Sequence, residues 1–166
     1  MNYFELFDLP IGFQVDTAKL RAAFMDIQKA SHPDKFTQAS EEAQNEALEK
    51  SAVANKAFTL LNNRDKILPY VLEITGILEA EEKYALQPDF LMEMMELNEA
   101  WMEADSEAEK NKVKQQVQSI QNEILTPVKA LLEAPSIDTS TKEGLLQIKE
   151  YYYKKKYLDR ILADFR

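Results

Sequence analysis

Ser31-His32-Pro33-Asp34-Lys35-Phe36 is the stretch from which the fold of this 166-residue chain is read. It holds the only histidine and lies between two segments with helical periodicity. Pro33 lacks a backbone donor and disfavours helical dihedrals at His32, so the preceding helix ends there. Asp34 supplies a short acceptor able to cap or tie the next turn. The stretch therefore reads as the tip of a helical hairpin carrying an imidazole, a fixed bend and a carboxylate.

Upstream, Asp16 or Thr17 offers an N-cap for a helix running to about Ser31. Leu20, Phe24, Ile27 and Ser31 fall on one stripe of it, with Ala23 beside them. Lys19, Arg21 and Lys29 lie off that stripe, and Asp26 is the only acid in the helix body, so this helix is locally basic. Before it, Tyr3, Phe4, Leu6 and Phe7 make an apolar segment too short to be stable unless it packs on something. Downstream, Ser40-Glu41-Glu42-Ala43 reads as a capped helix start with acids at the positive dipole end. Ala47, Leu48, Ser51, Ala54, Asn55, Phe58 and Leu61 form its expected buried side, ending near Asn62-Asn63. A further piece, Ile67 to Ile74, closes at Gly76 as C-cap and tolerates Pro69 only in its first turn.

The pattern weakens from Ile77 to Pro88, where a linker is expected. This divides the chain into 1–76, a linker 77–88, and a second domain 89–166. Three helical segments follow, over roughly 89–104, 107–134 and 140–165. The middle one repeats Val113, Val117, Ile120, Ile124, Val128 and Leu131 at coiled-coil-like spacing, and Pro127 is expected to kink or split it. An antiparallel three-helix bundle is the economical arrangement.

Three glycines and a wealth of Leu, Ala, Glu, Lys, Gln and Met favour helix almost throughout, and no convincing strand pattern appears, so the fold class is all-α. Net charge is −9; residues 1–75 hold 8 basic and 11 acidic side chains, the remainder 12 and 18, so the acidity concentrates in the second half. Such a chain is a poor nonspecific ligand for nucleic acid. Without cysteine, disulfides, zinc–thiolate sites and thiol catalysis are excluded, and one histidine leaves no His-rich metal site. No metal or other cofactor is expected. The N-terminus does not read as a signal peptide and no apolar run could span a bilayer, so a soluble, cytoplasmic protein with no membrane partner is expected. No nucleophile or ligand partner clusters with the tripeptide in sequence, which argues against an enzyme.

An apolar opening, a basic helix, His32-Pro33-Asp34 and a long alanine-rich helix together resemble a J domain. The resemblance implies docking of His32, Pro33, Asp34 and Lys35 on the ATPase domain of a DnaK-type chaperone, with Lys19, Arg21 and Lys29 steering toward its acidic surface. It then becomes specific. Tyr3-Phe4-Glu5-Leu6-Phe7, His32-Pro33-Asp34-Lys35-Phe36, Phe90-Leu91-Met92-Glu93-Met94-Met95-Glu96-Leu97 and Tyr157-Leu158-Asp159 resemble successive landmarks of the HscB family, the J-type co-chaperones of iron–sulfur cluster assembly. Ser31 stands where J domains often carry an aromatic residue. Eukaryotic relatives carry a cysteine-bearing N-terminal extension absent from this sequence, which points to the bacterial type. The resemblance implies an N-terminal J domain, a C-terminal bundle that binds an IscU-type scaffold protein, and an HscA-like chaperone as the second partner. A J protein for another client and a helical adaptor without chaperone activity are the alternatives.

The segment 90–102 carries a signal of its own. At about 100° per residue, Phe90, Met94, Leu97 and Trp101 form one stripe. Leu91, Met92, Met95 and Met102 form a second, interleaved with Glu96 and Glu99. A surface helix needs only the first, so the second is either a contact with another neighbour in the bundle or a partner surface. On the last helix, Tyr151, Leu158, Leu162 and Phe165 are expected to face inward, while Leu146, Tyr153 and Tyr157 fall together elsewhere. By position, the resemblance implies scaffold contacts at Leu91, Met92, Met95, Glu96, Glu99 and Tyr157.

Overall fold

The computed structural model describes residues 1–165, which are helical with no strand among them. They form two compact units, one of residues Met1–Ile74 with Leu132–Asp138, the other of Thr75–Leu131 with the chain from Thr139 onward.

In the first unit, α1 (Tyr3–Leu6) starts with a reciprocal capping box between Asn2 and Glu5. It buries Phe4 completely, and the Tyr3 ring stacks on Tyr70 at 5.0 Å. The next helix, α2 (Thr17–Ser31), is capped by the Asp16 carboxylate, which accepts from the Ala18 and Lys19 N–H groups. It pairs with α3 (Glu41–Leu61), capped by Ser40. Phe24 stacks on Phe58 at 4.4 Å, and Gln28, one turn later, exchanges hydrogen bonds with Ser51, one to two turns earlier. The pair is therefore antiparallel. Ala47, Ala54 and Ala57 are buried along the seam, where a methyl group in place of a larger chain lets the backbones approach.

Two expectations for α3 need correction. Leu48 is 53% exposed, and Asn55 is also exposed; Ala57 occupies the buried direction instead. Small residues carry the seam, so the larger Leu48 had no place in it. A third correction concerns α4 (Arg64–Ile74), which begins a turn earlier than expected and holds Pro69 in its interior. Burial of Ile67, Val71 and Leu72 holds this helix, outweighing the local penalty of the proline. Gly76 follows at φ +76°, the left-handed conformation that a helix C-terminus favours. The late segment Leu132–Asp138 joins this unit through the Ile137 N–H, which donates to Ile11 O at 2.9 Å. Gly12 is buried beside it, and any side chain there would meet the Pro135 carbonyl oxygen at 3.0 Å.

The second unit is built on α5 (Pro88–Glu103), α6 (Glu107–Leu125) and α8 (Lys142–Ala163). Phe90, Met94, Leu97, Val113, Val117, Ile120 and Leu158 form its core. Phe90 meets Tyr157 edge-on and Trp101 stacks on Phe165 at 4.5 Å, so α5 and α8 run the same way, with α6 antiparallel to both. Pro127 lies in a 3-10 turn, Thr126–Val128, that separates α6 from the short α7 (Lys129–Glu133). The helical segment expected over 107–134 is thus split at Pro127, as expected, where a proline must forfeit its hydrogen bond.

Candidate functional site

In the first unit, the tip is made by chain chemistry rather than by strong side-chain pairing. His32 leaves α2 with ψ 133°, the extended conformation imposed by the following proline, and also caps the 3-10 turn Pro33–Phe36. Its Nδ1 accepts from the Asp34 N–H at 3.2 Å, and the Lys35 N–H donates to His32 O at 3.0 Å. The Asp34 carboxylate lies 3.5 Å from Nδ1, but the two side chains are 57% and 88% exposed. At that exposure an ionic contact contributes at most about 1 kcal/mol, so it does not hold the loop.

The residue that holds it is on α3. The Gln44 side-chain amide donates to the carbonyls of Phe36, Thr37 and Ala39 at 2.9, 3.4 and 3.3 Å. Sequence reasoning missed Gln44, since its partners lie across a loop whose path periodicity does not report. Ser31, where an aromatic is often found, is 3% exposed and donates its hydroxyl to Ile27 O at 2.6 Å. It thus satisfies its own polar atom inside the last turn of α2. Pro33, Asp34 and Lys35 are exposed, as are Lys19, Arg21 and Lys29 on α2. By helical spacing Lys29 lies opposite the buried stripe, with Lys19 and Arg21 on its two flanks. Met25, 46% exposed, lies one turn from Arg21 and one turn from Lys29.

In the second unit, the extra stripe of α5 faces solvent. Met92, Met95 and Met102 are 59%, 61% and 76% exposed, Leu91 is half-buried, and Glu96 and Glu99 are exposed. The alternative that these methionines serve as bundle core is thereby removed. Tyr157 differs from the other five proposed contacts. Its ring packs edge-on against buried Phe90 with centroids 6.3 Å apart, so much of it is spent inside the bundle. On α8, Leu158 is buried, and Leu162 and Phe165 pack on the core as expected, but Leu145, Ile148 and Lys149 are buried too. Leu146 is 52% exposed and lies on the same side of α8 as Tyr153 and Tyr157 by helical spacing.

Residues 77–88 are tied down within this unit. Lys149 reaches them from α8: its Nζ donates to Ile77 O at 2.9 Å and to the Glu82 carboxylate. Tyr153 Oη donates to the same carboxylate at 3.3 Å, and the Tyr153 ring stacks on Tyr84, 4.5 Å away and nearly parallel. An ammonium buried to this degree is tolerable only with such partners. The Lys149 hydrogen bond, ahead of its charge, holds the Glu82 carboxyl below the usual carboxylate range. Burial first, then the Glu82 charge, pushes the Tyr153 phenol up to about 12.

Among the described residues, no three His, Cys, Asp or Glu side chains are grouped to hold a metal ion, and no helix is long and apolar enough to cross a membrane.

The family model for the HSCB C-terminal oligomerisation domain matches residues 86–166. A curated co-chaperone protein HscB homolog from Shewanella halifaxensis is 31% identical over 166 residues, covering 97% of this chain and 95% of its own. Homologs from Vibrio cholerae are 43% identical over 100 residues, and that match spans 58% of their length. Among solved structures, human co-chaperone HscB superposes with a TM-score of 0.69 at 30% identity, over 99% of this chain and 80% of that one. Chaperone HscB from Vibrio cholerae gives 0.59 at 31% identity, over 98% and 96%.

Proposed function

This chain belongs to the HscB family of co-chaperones, and we propose on that footing that it couples an iron–sulfur scaffold to a DnaK-type chaperone. The His32-Pro33-Asp34 tip, with Lys35 and the basic residues Lys19, Arg21 and Lys29, docks on an HscA-like ATPase domain and stimulates hydrolysis. No bond chemistry by His32 is needed; contacts that favour the hydrolysis-competent chaperone state suffice. The second unit presents an IscU-type scaffold on Leu91, Met92, Met95, Glu96 and Glu99, with Tyr157 at the margin. The protein itself acts as no enzyme in this reading. Residues 1–76, completed by Leu132–Asp138, are the chaperone-facing module, the rest of 89–166 the cargo-facing one, and 77–88 the connection, fastened to the cargo-facing side.

The observation that carries the reading is the solvent exposure of a methionine stripe the bundle does not use. Flexible thioethers between carboxylates suit an adaptable, charge-selective protein contact. The test is a steady-state ATPase assay of an HscA-type chaperone with this protein, with and without an IscU-type scaffold. Stimulation that rises synergistically with scaffold and vanishes in Asp34→Asn is expected. Stimulation by Asp34→Asn equal to that of the parent would falsify the role of the tip, and stimulation without synergy would assign the bundle to another client.

A further inference from the structure

On the second unit a groove of about 400 Å³ opens between α5, α6 and α8. It continues into a hollow of about 480 Å³ between α5 and α6, with Glu93, Ile120 and Glu123 common to both. Phe90, Ile120 and Ile124 give it an apolar floor, and Glu93 and Glu123 stand on opposite helices across it. By helical spacing this side of α5 is turned away from Leu91 and Met95.

The groove already holds one cation of its own. Lys154 Nζ lies 5.5 Å from the centroid of the Phe90 ring and pairs with Glu150 at 3.1 Å. An alkylammonium over an aromatic face, flanked by carboxylates, is thus a contact this surface supports. Glu93 and Glu123 have no such partner: no described residue brings a cation within ion-pair distance of either. Glu93 is exposed at the groove's edge, and partial desolvation by the walls first, then the charges of Glu123 and Glu96, raise its carboxyl, with Lys154 offsetting only part of this. The acids are not grouped to share a metal ion. Separate cationic side chains on one apolar backbone match them instead.

We propose that this groove binds a Lys- or Arg-bearing amphipathic segment of a protein partner, with apolar side chains against the half-buried Ile124 and cations on Glu93 and Glu123. Glu96 lies at the edge shared with the surface assigned to the scaffold, whereas Glu93 and Glu123 belong to the groove alone, and the substitutions that test it are confined to those two.

The probe is a short capped lysine–leucine peptide, titrated into the isotope-labelled full chain and followed by amide chemical shifts. Its glutamate–leucine and lysine–serine counterparts are run in parallel. Shifts confined to the groove segments of α5, α6 and α8 are expected with the lysine–leucine peptide alone. Glu93→Gln with Glu123→Gln should weaken it about tenfold, while Met92→Ala with Met95→Ala leaves it unchanged. Shifts centred on Met92, Met95 and Met102, equal binding of the glutamate–leucine peptide, or undiminished affinity in the double glutamine protein would each overturn the proposal. Should that double variant fail to fold, the three peptides on the unaltered chain still decide it.

Discussion

Gln44 shows how a single side chain determines whether a proline bend becomes a defined surface. The tip residues are exposed, and the 3.5 Å approach of the Asp34 carboxylate to His32 Nδ1 is too open to water to order them. Three carbonyls of the loop instead converge on one amide from α3. Gln44→Ala is expected to cost about 1 kcal/mol of loop order, net of what water returns to those carbonyls. If chaperone docking selects the ordered tip, its apparent affinity falls by up to about fivefold, the full drop being reached when the ordered form is the minor one. Hydrogen exchange at Thr37–Ala39 and the chaperone-stimulation curve check this together; faster exchange with an unchanged curve would separate loop order from docking. His32, Pro33 and Asp34 were legible in the sequence because their effect is local. Gln44 was not, because its role depends on where a loop folds back.

At the scale of elements, α5 carries two apolar faces, and only one has a partner within the bundle. Truncating the core face leaves a cavity, so Met94→Ala costs roughly 2–5 kcal/mol. The outer face should behave in the opposite way. Met92→Ala with Met95→Ala is expected to change bundle stability by less than about 0.5 kcal/mol per site, both being largely exposed. Scaffold affinity should fall about tenfold or more if these are anchors. Thermal melts beside calorimetric titration with an IscU-type scaffold tell the cases apart, and a lowered melting temperature would return the methionines to the core. Periodicity found both stripes without revealing which was wet, since exposure depends on how many helices surround α5. The helix starts at Asp16 and Ser40 were readable because a capping oxygen and the N–H groups that donate to it lie within three residues. Leu48 misled because apolar character alone does not distinguish a close-packed alanine seam from its flank.

Across the second unit, stability depends on pH through the residues that fasten 77–86 to α8. Glu82 titrates lower when folded than unfolded, so its contribution is complete above the ordinary glutamate range. It is lost as the pH falls through the depressed folded value. Tyr153 titrates higher when folded, so its contribution is complete below about pH 10 and is lost as the pH rises toward about 12. Glu82→Gln should flatten the acid limb of the melting-temperature profile and Tyr153→Phe the alkaline limb. A profile unchanged in both variants would mean the contacts do not persist in solution. Nothing in the sequence near Glu82 announced Lys149, 67 residues away, and a weak helical signal was read as slack. The same blindness to distance hid Leu132–Asp138, which completes the first unit although it follows most of the second. A ribosome releases residues 1–74 first, at a few to some twenty residues per second, yet the Ile11 carbonyl must wait several seconds for the Ile137 amide. During synthesis the Ile11–Gly12 segment therefore goes uncovered until the chain has passed through most of the second unit, so the first unit is completed only late.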